Sequence, residues 1–252
     1  MSKLRKVLEF GTSQLGVHRP SKKLFDRLVR PQVYAYRLRQ KEFFATLIRP
    51  GALVFDVGAH WGDLSAVFLE VGARVVTVEP NPKLASVIQR RYGRELVVEP
   101  VAVGDRAGQL PLHLSARDAL STLSEEWMRR ANRPWWNEAV TVPVVTLDDL
   151  VGRHGVPQFV KLDVEGFELK ALRGLSAARV QGISFEYHAI AIDEGLACIE
   201  RAVELGFRRF NETPGDTPSF LGPWLSSDKI SDRLSRASSD SPDVYGDIYA
   251  MK

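Results

Sequence analysis

Apolar and polar positions follow a repeating order of strand and then helix through the middle of the chain. Short apolar runs are typical of buried strands, and the residues between them have the three- and four-residue apolar spacing of amphipathic helices. The strands predicted in this part are 52–57, 74–79 and 95–103, and the helices are 64–71 and 82–93. Because strands that alternate with helices form right-handed βαβ units, we expect a parallel sheet.

The same pattern continues toward the C-terminus after a longer connection. The predicted strands are 109–115, 138–146, 159–164, 182–187, 207–212 and 244–251, and the predicted helices are 147–155, 165–175 and 193–206. The stretch 213–243 is rich in Ser, Pro, Gly and Asp, which is typical of a long loop. We find no internal repeat and no second core, and therefore expect one domain over 51–252 preceded by an extension over 1–50.

Charge distribution sets this extension apart. The 252 residues are 44% hydrophobic and 26% charged, as in a globular protein, and carry a net charge of +3. Residues 1–50, however, contain 12 Lys and Arg against three acids, whereas the rest of the chain is mildly acidic. A basic extension suits an anionic partner, such as a membrane surface, an anionic substrate or nucleic acid.

Helical packing is the other interpretation of the extension, because its apolar residues recur every three or four positions. The residues with this spacing are Leu24, Leu28, Tyr36, Phe43, Phe44 and Leu47. They predict a pair of basic helices that pack on the domain, and this interpretation and anionic contact both stay open.

Cysteine content and hydropathy restrict the compartment. A single cysteine, Cys198, allows no intramolecular disulfide and no zinc site built from cysteines. No apolar run approaches the roughly 18 residues of a membrane helix. Glu9 interrupts the short apolar stretch near the N-terminus, which argues against a secretory signal. We therefore expect a cytoplasmic protein.

The stretch VFDVGAHWGDLSAV, 54–67, carries candidate ligand-binding chemistry. Asp56 ends the first predicted strand, and Gly58 and Gly62 lead into the first helix. Open α/β sheets bind their ligands at this carboxyl edge. Glu79 ends the second strand, 21 positions after Gly58, which is the spacing of an acid that accepts hydrogen bonds from ribose hydroxyls.

The missing second glycine decides which nucleotide this turn favours. His60 stands where a pyrophosphate-binding loop has that glycine, and Asp56 would repel phosphate but suits a cation. S-adenosylmethionine has no phosphate and carries a sulfonium, an ammonium and a ribose, so we favour it over NAD. An NAD-linked oxidoreductase and a non-catalytic nucleotide-binding module are the alternatives.

Candidate catalytic residues close two later strands. Asp163 and Glu165 stand at the carboxyl end of the strand 159–164, and Glu186 and His188 stand at the carboxyl end of the strand 182–187. Strand alternation puts Asp163 and Glu165 on one side, where they would orient a hydroxyl or share a divalent metal. We do not favour a metal, because two carboxylates and one histidine are a minimal set and no third acid is clearly placed.

His188 is a candidate general base, because imidazole titrates near neutral pH. Packing offers an alternative for each candidate. Glu165 also suits the N-terminus of the following helix, where the helix dipole favours an acid, and His188 also suits a loop histidine that is hydrogen-bonded to backbone.

Aromatic residues cluster in the long connection 115–139, which contains Trp127, Trp135 and Trp136. Their rings would stack on the C–H face of a sugar or form part of a lid that excludes water. A helix that docks its aromatic face on the sheet is the alternative, above all for Trp127. No Asn/Asp-Pro-Pro-aromatic motif is present, so a nucleic-acid acceptor is not favoured.

Several motifs in one order and spacing resemble the FkbM family of S-adenosylmethionine-dependent methyltransferases. They are VFDVGAHWGDLS, VEPNP, VTLDDLV, FVKLDVEGFELKALRGL, FEYH and GDIYAMK, and the resemblance covers about residues 50–251. It implies an α/β fold, namely the Rossmann-like sheet of class I methyltransferases, with seven mostly parallel strands, an antiparallel last strand and helices on both faces. It also implies methyl transfer, usually to a hydroxyl oxygen of a sugar or natural product.

The resemblance further implies roles for single residues. The turn beside the methionine end of the cofactor is formed by Asp56, Gly58, Ala59 and Gly62. Glu79 accepts the ribose hydroxyls, Asn81 lies in the neighbouring loop and Ala102 lies near the adenine edge. His60 and Trp61 stand where relatives commonly carry Asn and an apolar residue, and the imidazole of His60 is still able to donate one hydrogen bond. We expect a small-molecule or glycan acceptor, and leave open an oligomer and contact of residues 1–50 with an anionic membrane.

Overall fold

The computed structural model describes residues 28–115, 120–176 and 179–252. The helices are α1 (Pro31–Ala45), α2 (Asp63–Val71), α3 (Pro82–Tyr92), α4 (Glu125–Ala131), α5 (Leu147–His154), α6 (Glu168–Arg173), α7 (Ile192–Glu204) and α8 (Ser227–Asp240). The strands are β1 (Leu53–Val57), β2 (Arg74–Val78), β3 (Val97–Glu99), β4 (Ala102–Val103), β5 (Gly108–Ser115), β6 (Trp136–Val145), β7 (Phe159–Leu162), β8 (Gly182–His188), β9 (Arg209–Pro214) and β10 (Tyr245–Met251). A short 3₁₀ turn, Ala189–Ala191, joins β8 to α7.

Seven strands form the main sheet in the order β3-β2-β1-β7-β8-β10-β9. The five strands from β3 to β8 pair in parallel, and β10 pairs antiparallel with both β8 and β9. Val57 is level with Leu162 and Leu162 with Phe185, so the carboxyl ends of β1, β7 and β8 meet at one edge. This order confirms the predicted seven-stranded sheet with an antiparallel last strand.

Helices cover both faces of the sheet. Successive strand residues point to opposite sides, so apolar side chains on both faces need to be buried. Val54 belongs to the core cluster that includes residues of α1, α2 and α3, and the neighbouring Phe55 belongs to the cluster that includes residues of α5 to α8. Both side chains are completely buried. The strands read as near-continuous apolar runs because each face is covered.

The extension contributes to the core through α1. Phe43 and Phe44 are buried, and Phe44 meets Phe68 of α2 edge to face, with ring centroids 4.9 Å apart. Leu28 is 71% exposed, so it does not pack as its spacing predicted. Residues 1–27, including Leu24, lie outside the described part of the chain. Within that part, no helix combines the length and the apolar character needed to cross a membrane.

Two predicted elements are wrong. The run 95–103 forms two strands, because Pro100 between them has no N–H for a ladder hydrogen bond. The second of these, β4, joins a separate three-stranded sheet in the order β4-β6-β5. The stretch 213–243 is not all loop, because it contains α8, whose Ile230 and Leu234 are completely buried.

The helix predicted over 165–175 begins late, at Glu168. Glu165 and Gly166 have φ angles of +54° and +81°, in the left-handed region that a right-handed helix cannot contain. The acid in the first turn of the helix is therefore Glu168 rather than Glu165, whose alternative role as a helix N-terminal acid is wrong. Glu165 lies instead in the turn between β7 and α6.

Candidate functional site

The turn after β1 is shaped by a very close approach to the end of β7. Gly58 has a φ of +82° and donates its N–H to the Val78 carbonyl at 2.9 Å. A Cβ at this position would lie 1.7 Å from the carbonyl oxygen of Asp163, so no side chain fits. The glycine therefore allows the turn to cross the carboxyl edge of the sheet in contact with β7.

Glu79 ties the first two strand-to-helix turns together. One carboxylate oxygen accepts the N–H of His60 at 2.7 Å, and the other accepts the N–H of Asn81 at 2.9 Å. Burial raises the pKa of Glu79 to about 7, against the lowering effect of these two hydrogen bonds. Each oxygen keeps a second lone pair, so the carboxylate is able to accept further hydrogen bonds from a ligand.

An apolar cavity lies next to Glu79 at the edge of the sheet. Its apolar lining comes from β1, β2, β4, β5 and nearby loops, namely Val57, Val78, Val101, Ala102, Val103, Leu112, Leu123 and Val164. Asp163 and Glu165 line its polar side. The cavity includes Ala102, the residue expected near an adenine edge.

A larger polar cleft begins where this cavity ends. Gly58, His60 and Asp163 line both spaces, so they mark the junction. The cleft is bounded by α1 on one side and by β7, β8 and β10 on the other. Its lining includes Tyr36, Arg37, Gln40, Asp56, Ala59, Trp61, Lys161, Glu186, Asp216 and Asp247.

Asp56 lies at the base of the cleft and is 2% exposed. Its carboxylate accepts a short hydrogen bond from the Ser65 hydroxyl, whose oxygen lies 2.8 Å from that of Thr77. Burial raises the pKa of Asp56 to about 6, although the Ser65 hydrogen bond and Lys161 act in the opposite direction. This oriented, buried carboxyl suits a cationic ligand group.

Lys161 is a functional candidate that the sequence analysis did not single out. Its side chain is 5% exposed, and its ammonium lies 2.8 Å from an Asp247 oxygen and 3.5 Å from an Asp163 oxygen. Burial lowers the pKa of Lys161, but the two carboxylates outweigh it and hold the pKa well above its ordinary value. The sequence does contain a signal for this residue, because a lysine inside the otherwise apolar strand FVKL indicates a buried charge that needs a partner.

Glu165, Glu186 and His188 come together beside the junction. One potential ligand atom from each lies within 4.8 Å of the others. Burial and the neighbouring carboxylates of Glu186 and Asp163 raise the pKa of Glu165 to about 10. Burial also raises the pKa of Glu186, whereas the pKa of His188 is lowered by burial but raised overall by Glu186.

Asp163 and Glu165 do line one cavity, but strand alternation is not the cause. β7 ends at Leu162, and Asp163 turns toward Lys161 while Glu165 adopts a left-handed backbone conformation. His188 lies between two rings, with centroids 4.5 Å from Trp127 and 5.7 Å from Tyr245. Their catalytic roles stay predictions.

The tryptophans lie around this site rather than in its walls. Among the described residues, neither cavity is lined by Trp127, Trp135 or Trp136. Trp127 is buried against His188, as expected for a docked helix, and the indole N–H of Trp136 donates to the Leu120 carbonyl at 2.6 Å. Their contact with substrate stays a prediction.

The remaining residues expected at the cofactor have structural contacts of their own. Asn81 caps α3 by accepting the Lys83 N–H at 3.0 Å. Gly62 begins α2 with a φ of +71°, and Ala59 donates its N–H to the Val78 carbonyl at 3.2 Å. These contacts hold the loops around the cavity in place, and cofactor contact by the same residues stays a prediction.

Comparison with known proteins gives one family. The family described as the methyltransferase FkbM domain matches residues 56–220. Among solved structures, this chain is similar to a precorrin-6Y C5,15-methyltransferase from Geobacter metallireducens, with 12% identity, 86% of this chain and 88% of that chain covered, and a TM-score of 0.41. It is also similar to a TehB-like SAM-dependent methyltransferase from Corynebacterium glutamicum, with 15% identity, 85% and 88% covered, and a TM-score of 0.44. No curated protein sequence matches the chain.

Proposed function

This chain belongs to the FkbM family and is an S-adenosylmethionine-dependent methyltransferase, and we propose that it methylates a hydroxyl oxygen on a sugar or a natural-product-like small molecule. The observation that carries this proposal is the junction at Asp163 of an apolar cavity and a polar cleft. The apolar cavity suits the cofactor and the polar cleft suits the acceptor. The acidic side chain of Asp163 lines both spaces.

The apolar cavity suits the adenosine part of the cofactor. Its valine and leucine side chains offer flat apolar contact to a purine, and Glu79 offers carboxylate oxygens to the two ribose hydroxyls. Asp56, in the adjoining cleft, would hold the cationic methionine end. The carboxylates Asp56 and Asp163, which lie beside the turn after β1, would each repel a pyrophosphate, which argues against the NAD-linked alternative.

The polar cleft suits the acceptor. Tyr36, Arg37 and Gln40 of α1 present hydrogen-bonding groups on one wall, opposite the carboxylates of β8 and β10. When it is bound, S-adenosylmethionine supplies an electrophilic methyl group. The protein must then hold the acceptor hydroxyl in line with that group and accept its proton, and Asp163 is placed for both tasks.

The basic extension supports a second contact that we also propose. Leu28, Val29 and Val33 are exposed apolar residues near the start of α1. Exposed apolar side chains beside a basic segment suit the surface of an anionic membrane. Cytoplasmic location and oligomer formation stay predictions.

We expect S-adenosylhomocysteine, and not NAD, to raise the melting temperature of the protein. A ligand that binds only the folded state stabilises it by mass action. Incubation with methyl-labelled S-adenosylmethionine and a panel of sugars, phenols and amines then tests the acceptor by mass spectrometry. Stabilisation by NAD alone would overturn the cofactor assignment, and label confined to nitrogen would overturn O-methylation.

Substitution of Glu79 by glutamine is expected to weaken binding of S-adenosylhomocysteine about 10- to 100-fold, because hydrogen bonds to a charged carboxylate are lost. Since the pKa of Glu79 is about 7, wild-type affinity should rise between pH 6 and pH 8, as the carboxylate form becomes populated. Titration calorimetry at several pH values measures both effects.

The matched control is Glu99→Gln, at the end of β3, where the acid pairs with His154 at 2.6 Å. It should leave affinity unchanged. The difference in pH dependence between wild type and Glu79→Gln isolates this carboxyl from the others. Equal affinity of Glu79→Gln and wild type at pH 8 would reject the ribose assignment.

A further inference from the structure

We propose that Glu165, Glu186 and His188 bind one divalent cation, of the Mn²⁺ or Zn²⁺ type, at the edge of the acceptor cleft. Binding of the cation does not depend on the proposed function. Its role in the reaction rests on the proposed function. The sequence alone did not favour a metal, because two carboxylates and one histidine are a minimal set and no third acid was clearly placed.

The geometry of β8 supplies two of the three ligands. Glu186 and His188 are two residues apart on one strand, so their side chains point to the same face. His188 Nε2 lies 3.1 Å from a Glu186 oxygen, yet this nitrogen makes no aligned hydrogen bond within the described residues. When two ligand atoms each lie about 2.1 Å from a cation and the angle between them at the cation is about 90°, they are separated by about 3.0 Å. The observed spacing fits two neighbouring ligands.

Glu165 supplies an independent indication. Glu165 is only 9% exposed. Its Oε2 atom is buried and has no hydrogen-bond partner among the described residues. Leaving a buried carboxylate oxygen unpaired is costly. This oxygen belongs to the same cluster as Glu186 and His188, so a shared cation would satisfy it.

The backbone around Glu165 is held in an uncommon conformation. The residue has a φ of +54°, which is costly for a side chain other than glycine. Its carbonyl accepts the Thr122 hydroxyl at 2.6 Å, and the next residue, Gly166, leaves no room for a Cβ against Trp127. These contacts orient the Glu165 side chain toward β8.

Charge in this part of the site favours a cation. Glu165 and Glu186 lie near the further carboxylates Asp163 and Glu168. Lys161 forms ion pairs with Asp163 and Asp247, so its positive charge neutralises only part of the negative charge of the cluster. Two carboxylate oxygens and one imidazole nitrogen suit Mn²⁺ or Zn²⁺ better than a cation that prefers oxygen alone.

The aromatic neighbours of His188 have a positioning role in this arrangement. The Trp127 ring is tilted against the imidazole and the Tyr245 ring is stacked on it, which restricts rotation of the imidazole. Tyr245 is the residue of β10 that pairs with His188, so the sheet itself fixes this contact. Neighbours that orient a ligating histidine contribute to metal affinity.

The site lies where a cation would act on the acceptor. Glu186 lines the polar cleft, and Glu165 lines the apolar cavity. A cation between them would coordinate the acceptor hydroxyl and make its proton easier to remove. The proton would pass to Asp163, and the oxygen electron pair would form the new bond to the methyl carbon. The bond from that carbon to the sulfonium sulfur would break, and its electrons would stay on the sulfur of S-adenosylhomocysteine.

Mn²⁺ binding to the chelator-treated, dialysed protein tests the proposal. We expect titration calorimetry to show one Mn²⁺ per chain. Glu165→Gln, Glu186→Gln and His188→Gln should each weaken it by about tenfold or more. The matched control is Glu204→Gln, a carboxyl on α7 that pairs with Arg201 on the surface and should leave binding unchanged.

Pulsed electron paramagnetic resonance of Mn²⁺ bound to the wild-type protein provides a second measurement, which does not depend on whether a variant folds. It detects coupling between the Mn²⁺ and a ligating nitrogen. Coupling to one imidazole nitrogen is expected in the wild-type protein. Absence of saturable Mn²⁺ binding, absence of nitrogen coupling, or equal affinity in all folded variants would overturn the site.

S-adenosylhomocysteine binding, measured on the same metal-free samples, separates this proposal from the proposed function. Circular dichroism of the same samples reports whether each variant is folded, because Glu165 itself lines the proposed cofactor cavity. Cofactor binding without Mn²⁺ binding would reject the metal site and leave the methyltransferase assignment standing. Mn²⁺ binding without cofactor binding would support the metal site and overturn the function proposed for it.

Discussion

Substitution of Lys161 by methionine is expected to lower the free energy of unfolding by about 3–5 kcal/mol. The ammonium lies 2.8 Å from Asp247 and 3.5 Å from Asp163, and the side chain is 5% exposed. Methionine has a similar length, so the loss comes from the partly buried Asp247 carboxylate and, to a smaller extent, from the more exposed Asp163, which both lose their cation. Urea unfolding followed by circular dichroism measures the change.

Two further variants separate this effect from a general loss of charge. Lys170→Met removes a lysine that lies 3.6 Å from Asp105 at the surface, and it should change stability by about 0–1 kcal/mol. Adding Asp247→Asn to Lys161→Met should restore part of the lost stability, because one unpaired carboxylate is removed with its partner. A Lys161→Met protein as stable as wild type would show that the buried ion pair carries no net stability.

Substitution of Gly58 by alanine should destabilise the protein by at least about 4 kcal/mol and abolish binding of S-adenosylhomocysteine. The new Cβ would lie 1.7 Å from the Asp163 carbonyl oxygen. Asp163 directly follows β7, so its backbone cannot move away without breaking the pairing of β1 with β7. Thermal unfolding and a binding titration measure the two losses.

Gly51→Ala is the matched control for this substitution. Gly51 has a φ of +80°, close to the +82° of Gly58, but nothing lies within 4 Å of its hypothetical Cβ. It should therefore cost only the roughly 1–2 kcal/mol of an alanine in the left-handed region. If the two variants are equally stable, the turn after β1 has room to move, and close contact with β7 is not what requires glycine.

The alternation of strands and helices in the main sheet was predictable, because its strands are short apolar runs between amphipathic helices. Prediction failed where composition and periodicity disagreed. Helix α8 is rich in serine and aspartate, and its only completely buried apolar side chains in the described residues are Ile230 and Leu234, four positions apart. That single pair is a weak periodic signal inside a segment with the composition of a loop.

The site was predictable as far as it follows from strand ends. Gly58, Glu79 and Asp163 each follow a parallel strand, and the carboxyl ends of neighbouring parallel strands meet. The Lys161–Asp247 pair was not predictable, because the two residues are 86 positions apart and are joined by the antiparallel return of β10.

The cluster of Glu165 with Glu186 and His188 depends on backbone conformation rather than on spacing. Strand alternation placed Glu165 beside Asp163, but the positive φ of Glu165 turns it toward the end of β8. A left-handed glutamate is uncommon, so no sequence pattern indicates it. The carboxylate pair considered from the sequence therefore differs from the one that the fold assembles.

Helix α1 has a consequence for how enzymes of this kind diversify. It precedes the residues that match the family, 56–220, yet Tyr36, Arg37 and Gln40 form a wall of the polar cleft that we propose for the acceptor. Changes on this one helix face alter the shape and charge of the acceptor side without touching Gly58 or Glu79. Under the proposed function, acceptor preference is thus able to change through α1 while the residues proposed to hold the cofactor stay the same.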